Sequence, residues 1–206
     1  MNEQTNQCED AKAAGRYRPS LAFYHPNAKG TGCALKLSLH PAHDDRDGCI
    51  MMTLANQLTL GDRRAANPVF PTFDWEGRLT VKLDFSDLTQ IVQVFRGERE
   101  SLADGKGLYH TTSKFSTRIA LRHVVEPTPC YPFEVYRSAR SGSAAGDAGV
   151  ADTSARIVLS ESEALGLCLA IENSFGVVCF GIPMLVEHDT SAYRREQREF
   201  RRAPAA

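Results

Sequence analysis

The chain writes one pattern twice. The first copy reads Phe23-Tyr24-His25, a Lys29-Gly30-Thr31-Gly32 turn, then Ala34-Leu35-Lys36-Leu37-Ser38-Leu39-His40-Pro41. The second reads Leu108-Tyr109-His110, a stretch containing Lys114, then Ala120-Leu121-Arg122-His123-Val124-Val125-Glu126-Pro127. Each copy runs on into a further strand-like segment and then an apolar helix. A doubled unit of roughly 80 residues, mostly strand and closed by one helix, leaves few folds open. The repeats span about 20–97 and 106–183 within one domain, 20–186, flanked by a polar segment, 1–19, and a basic tail, 187–206.

Strand periodicity sets the faces. Leu35, Leu37 and Leu39 alternate with Lys36, Ser38 and His40, so one face is apolar and the other polar. A turn at 43–48 returns the chain through Cys49-Ile50-Met51-Met52-Thr53-Leu54, and a polar loop from Gly61 to Pro71 leads to a strand at Leu79–Leu83. Asp84 or Ser86 caps a helix whose stripe is Phe85, Leu88, Ile91, Val92 and Phe95, and Gly97 stops it. In the second copy a long strand is expected from Phe115 to Val125, then a return at Phe133–Tyr136 and a last strand at Arg156–Leu159. Between the last two, the Ser/Ala/Gly-rich stretch from Ser138 to Ser154 reads as a mobile loop. Ser160-Glu161-Ser162-Glu163 fits a capping box opening a helix through Phe175 or beyond. That helix is apolar nearly all round, so one sheet cannot cover it and an oligomer interface is expected.

Composition narrows the function. A net charge of −1 requires any surface for a polyanion to be a local patch. The six cysteines form no Cys-x-x-Cys pair, and Cys33, Cys49, Cys168 and Cys179 lie in apolar stretches, which suits reduced structural thiols. The first nineteen residues are polar with no apolar central run, and Glu172-Asn173-Ser174 interrupts the longest apolar stretch. A soluble, cytoplasmic chain with a disordered N-terminal segment follows as the expectation. No nucleophile setting, phosphate loop or acid pair stands out, so no enzyme, catalytic residue, metal or cofactor is expected. His40 and His43 form an isolated pair in a turn.

Three segments resemble the Whirly family of single-stranded nucleic-acid-binding proteins, relatives of the mitochondrial guide-RNA-binding proteins. Tyr24-His25-Pro26-Asn27-Ala28-Lys29-Gly30-Thr31-Gly32 is similar to that family's aromatic-His-Asp-Pro segment running into Lys-Gly-Lys-Ser, although here the motif falls in the first copy. Phe73-Asp74-Trp75 resembles its Tyr-Asp-Trp, and Leu159-Ser160-Glu161-Ser162-Glu163-Ala164 resembles the junction before its last helix. The resemblance implies an α+β fold of two antiparallel four-stranded sheets, each followed by a helix. It implies too a homo-oligomer, dimer or tetramer, packed through those helices. Fewer than eight strands can be read directly, so one or two lie in stretches without a clear pattern.

The implied partner is single-stranded DNA or RNA, bound for transcription regulation or strand protection. Such binding needs cations along the phosphates and flat side chains under the bases. Lys36 and Arg122, taken as matching positions of the repeat, share the outer face with Arg118, and Lys29 and Lys114 stand in the corresponding turns. Tyr24 and Tyr109 are the leading stacking residues. Phe115, Trp75 and Tyr136 are further candidates, of which Trp75 and Phe115 equally suit core packing. The alternative from another class is an oligomeric scaffold or protein-interaction module of the same fold that binds no nucleic acid.

Overall fold

The structure is a computed structural model that describes residues 20–42, 46–62, 64, 66–140 and 152–181. The segment 1–19, the turn residues His43 to Asp45, most of the Ser/Ala/Gly-rich stretch and the basic tail lie outside the described residues. Two antiparallel sheets follow one another in the chain. The first orders β1 (Ser20–His25), β2 (Cys33–His40), β3 (Cys49–Asn56) and β4 (Leu79–Leu83) as neighbours in sequence order, and α1 (Phe85–Phe95) follows. The second repeats the arrangement with β5 (Leu108–Thr111), β6 (Phe115–Leu121), β7 (Cys130–Ala139) and β8 (Thr153–Ser160), closed by α2 (Glu161–Phe180). One core cluster takes residues from both sheets and both helices, among them Leu35, Met52, Leu88, Ile91, Ile119, Phe133, Leu167 and Ile171.

The strands without a readable pattern are β1 and β5, the short edge strands that end in Tyr24-His25 and carry Tyr109-His110. An edge strand has one paired side and little apolar alternation to display. The long strand expected at 115–125 stops at Leu121, after which the pairing continues only as isolated bridges of Arg122 with Ser101 and of Val124 with Cys130. The expected polar loop at 61–71 is instead part of a ribbon that prolongs β3, bridged at Gln57–Phe73 and Asp62–Val69.

Both helices open with capping boxes. Asp84 accepts from the Asp87 backbone N–H while Asp87 reaches back to that of Asp84, and Ser160 and Glu163 do the same for α2. A second partner meets each of these inner carboxylates. His25 Nε2 lies 2.7 Å from Glu163 Oε1, and His110 Nε2 lies 3.0 Å from Asp87 Oδ2. Each histidine thus stands on an edge strand of one repeat and holds the helix N-terminus of the other. Asp84 and Ser160 are equivalent caps, and Arg96 and Glu172, equally far beyond them, meet each other at 2.6 Å. A contact between equivalent positions marks an internal two-fold axis.

Two further links cross between the sheets. Arg137 on β7 donates to the Thr80 carbonyl at 2.7 Å and to the Thr117 hydroxyl at 3.2 Å. Burial lowers the pKa of its guanidinium from the ordinary value. Asn56 donates to the Ser154 carbonyl at 2.9 Å. Cys33 packs where the sheets meet, and burial pushes its thiol up to about 11, which leaves it an inert hydrophobe. Cys49 and Cys168 are likewise buried, whereas Cys179, expected inside, is exposed on α2.

Burial works against the Glu163 carboxylate, but the Ser160 backbone N–H, His25 and the Ser160 hydroxyl together hold its pKa below the ordinary value. Its contribution is therefore full above about pH 4.3, the ordinary glutamate value, and is lost as pH falls through the lower folded-state value. Glu163→Gln should cost about 1–3 kcal/mol near neutrality. In urea denaturation the gap between wild type and variant should close at acid pH. An equal gap at both pH values would deny the carboxylate this role.

Candidate nucleic-acid interface

Alternation gives each sheet an outer face. On the first sheet Leu35 and Leu37 are buried while Lys36 is exposed, and Met52 and Leu54 point inward between Met51 and Thr53. Ala22, Lys36, Thr53 and Thr80 form one cross-strand row, and Ser20, Ser38, Met51 and Lys82 form the next, with the β4 residue of each taken from its pairing to β3. Lys36 and Lys82 are the cations of this face. At its end Tyr24, 55 % exposed, packs against Phe73 and Trp75 with ring centroids 5.6 and 6.5 Å away.

Lys29 stands in the turn between β1 and β2, which Asn27 and Gln57 build. Asn27 Oδ1 accepts from the backbone N–H groups of Lys29 and Thr31, and Gln57 Oε1 accepts from those of Asn27 and Gly32. The glycines of this motif serve the backbone. Gly30 has φ +73°, and a Cβ on Gly32 would lie 2.3 Å from the His25 carbonyl and 2.4 Å from Gln57 Oε1.

On the second sheet Thr117, Ile119 and Leu121 are buried, and Ser116, Arg118, Ala120 and Arg122 face outward. Tyr109 pairs with Arg118, Arg118 with Tyr136, and Tyr136 with Ser154, so two tyrosines flank an arginine in a single row. Tyr109 is 62 % exposed and Tyr136 also reaches solvent. The Tyr136 hydroxyl donates to Asp152, whose carboxylate raises the phenol pKa. Arg118 donates from Nε to the Lys106 carbonyl at 2.8 Å and from Nη2 to that of Gly105 at 3.2 Å, tying the row to the turn before β5. Lys114 is exposed in the β5–β6 turn, held by the Thr112 hydroxyl and by Arg140 at the end of β7.

The structure places Lys36, Arg118, Arg122, Tyr24 and Tyr109 on outward sides of the strands and Lys29 and Lys114 in the turns, but corrects one correspondence. Strand pairing aligns Tyr24–Ala34 with Tyr109–Arg118 and Leu35–Leu54 with Ile119–Val135. Lys36 therefore corresponds to Ala120, and Arg122 to Ser38. The matching Ala-Leu-basic triplets misled because the second lies two residues further along its strand, one same-face row beyond the position that pairs as Lys36 does. Sequence reasoning missed Arg156, Glu134 and Lys82 as outward residues. The inward run Ala155, Ile157 and Leu159 is the signal that places Arg156 outside. Phe115 is half-buried, with Arg137 5.8 Å above its ring, and Trp75 backs Tyr24, so both serve mainly in packing.

A further exposed apolar surface belongs to α2. Its Ala164, Leu167, Cys168, Ile171 and Val178 are buried, while Leu165 (61 %), Leu169 (51 %) and Phe180 (84 %) are exposed. By length and composition alone it is a helix that could cross a membrane, the single one among the described residues.

Two four-stranded antiparallel sheets, each closed by a helix and related by an internal two-fold, define a Whirly-like α+β fold. The structure is similar to those of WHY1 and WHY3 from Arabidopsis thaliana. For WHY1 the TM-score is 0.61 at 12 % identity, over 93 % of this chain and 97 % of that one. For WHY3 it is 0.60 at 13 % identity, over 91 % and 99 %. No family sequence model matches the chain, and no curated protein matches it by sequence.

Gly32→Ala should destabilise the protein by about 1–3 kcal/mol, because the added methyl meets backbone and Gln57 rather than a pliable side chain. Thermal denaturation checks this. A variant as stable as wild type would show that the turn has room to move.

Proposed function

We propose that the chain binds single-stranded nucleic acid, DNA or RNA, on the outer faces of its sheets, without catalysis. The observation that carries the reading is the Tyr109–Arg118–Tyr136 row, two stacking surfaces around a guanidinium on an exposed sheet. Its neighbours Arg122 and Arg156, with Lys36 and Lys82 on the first sheet, supply charge for phosphates. Lys29 and Lys114 extend that charge into the turns, and Tyr24 offers a second platform. The fold likeness to Whirly proteins supports the same conclusion. The biological outcome in this reading is protection of single strands or control of transcription.

The protein acts in this reading as a homo-oligomer, dimer or tetramer, covering Leu165, Leu169 and Phe180 with a second copy. The exposed apolar face of α2 and the net charge of −1 favour a second reading, an oligomeric scaffold that binds no nucleic acid.

Fluorescence anisotropy separates the two. Single strands should bind more tightly than duplex, with log affinity falling against log salt at about 0.7 per neutralised phosphate. Tyr109→Ala and Tyr136→Ala should each weaken binding by about 1–3 kcal/mol. Lys36→Glu combined with Arg122→Glu should abolish binding while the circular dichroism is kept. Trp75, the chain's single tryptophan, should change its emission when the Tyr24 platform is occupied. Equal affinity in that charge-reversed variant would overturn the assigned face, and no binding of wild type to any strand would favour the scaffold.

Sedimentation of a Leu165→Glu, Leu169→Glu variant should show a folded monomer where wild type is oligomeric. A monomeric wild type would remove the helix interface.

A further inference from the structure

The two outer faces come from equivalent strands, yet at one place they differ in kind. On the first sheet Lys36, Thr53 and Thr80 share a row, and the threonine hydroxyls lie 3.1 Å apart. The equivalent row of the second sheet is Ala120, Glu134 and Arg156. A methyl group stands where the other copy has a lysine, and a cleft of about 250 Å³ opens there. Arg118, Arg122, Arg156 and Glu134 line it, Pro132 adds apolar surface, and residues 101–107 border it.

Arg118 is committed to the carbonyls of Gly105 and Lys106. The other three head groups are not: among the described residues the side chains of Arg122, Glu134 and Arg156 make no hydrogen bond or ion pair. Glu134 and Arg156 are directly opposite across β7 and β8. Opposite charges so placed ordinarily close on each other. Here they flank a cavity instead.

The chemistry of the lining selects an occupant. It offers guanidinium donors and one anionic acceptor, in a space below the usual range for drug-sized ligands of about 300–1,000 Å³. Guanine presents the inverse pattern. Its O6 and N7 accept from arginine, and its N1–H and N2 amino group stand side by side to donate to a carboxylate. Adenine and cytosine place a ring-nitrogen lone pair beside their amino group. Uracil and thymine flank one N–H with two carbonyls. Each of these sets an acceptor against Glu134.

We propose that the Ala120–Glu134–Arg156 cleft is a guanine-reading pocket. Glu134 accepts from the Watson–Crick edge, and Arg122 and Arg156 meet O6, N7 or the adjoining phosphate. The pocket rests on the strand-binding reading of the same face. It lies one row, about 7 Å along the strands, from Tyr109 and Tyr136, where the neighbouring base stacks.

The test measures anisotropy of the full chain with a labelled short oligo-dT and with the same strand carrying one central dG, dA, dC or deoxyinosine. The dG strand should bind roughly five- to tenfold more tightly than oligo-dT, dA and dC should bring no gain, and deoxyinosine, lacking the 2-amino group, should fall short of dG. Glu134→Gln and Glu134→Ala should lose the guanine advantage while keeping oligo-dT affinity. Equal affinity of wild type for all five strands, or a guanine advantage surviving in both variants, overturns the pocket and leaves strand binding standing. If no strand binds, the strand-binding reading falls, and a nuclear magnetic resonance titration with 5′-GMP against 5′-AMP decides the pocket alone. Shifts at Glu134 and Arg156 with 5′-GMP only uphold it; equal or absent shifts overturn it.

Discussion

His25 and His110 reach from two edge strands and close on the carboxylates of Glu163 and Asp87, each at the helix N-terminus of the other repeat. Each carboxylate also completes a capping box, so it is anchored by its own helix as well as by the histidine. Negative charge at these positions also suits the helix dipole. The result is a reciprocal exchange in which neither repeat has its helix fully held without the other. Arg96 and Glu172 add a contact between equivalent positions near the two-fold axis. These three links orient both helices against one shared core, and that orientation turns the polar sides of both sheets outward.

The two sheets present equivalent faces with unlike residues. The first is a lysine face with an aromatic cluster of Tyr24, Phe73 and Trp75 at one end. The second interleaves arginine with tyrosine and sets a carboxylate, Glu134, beside a cleft. Arginine and lysine are not interchangeable in such settings, because the guanidinium offers a planar fork while the ammonium acts as a point charge. A net charge near zero is compatible with this arrangement, since Lys36, Lys82, Arg118, Arg122 and Arg156 supply positive charge locally on the two faces.

Several elements were legible in the residues alone. The capping box at Ser160 and Glu163 announced α2, because side-chain chemistry at a helix start is local. The alternation of Leu35, Lys36 and Leu37 placed Lys36 outside, because strand period is local too. Strands β1 and β5 did not declare themselves, being short edges with little pattern. The match of Lys36 with Arg122 failed for a different reason. Two similar triplets invited it, and only hydrogen-bonded register could show that the second triplet lies one row further along its strand.

The sequence by itself determined the duplication, the two capped helices, the excess of apolar surface on α2 and the alternation that separates core from face. The last three follow from spacing within a few residues, where geometry is set by the local backbone. Tertiary structure alone decided which residues share a row, how Tyr136 and Arg156 join Arg118 on one surface, and that His25 and His110 hold the opposite helices. Those relations join residues far apart in the chain, as with the 138 positions between His25 and Glu163, and they depend on strand register and on how the two repeats pack. No local pattern encodes either one.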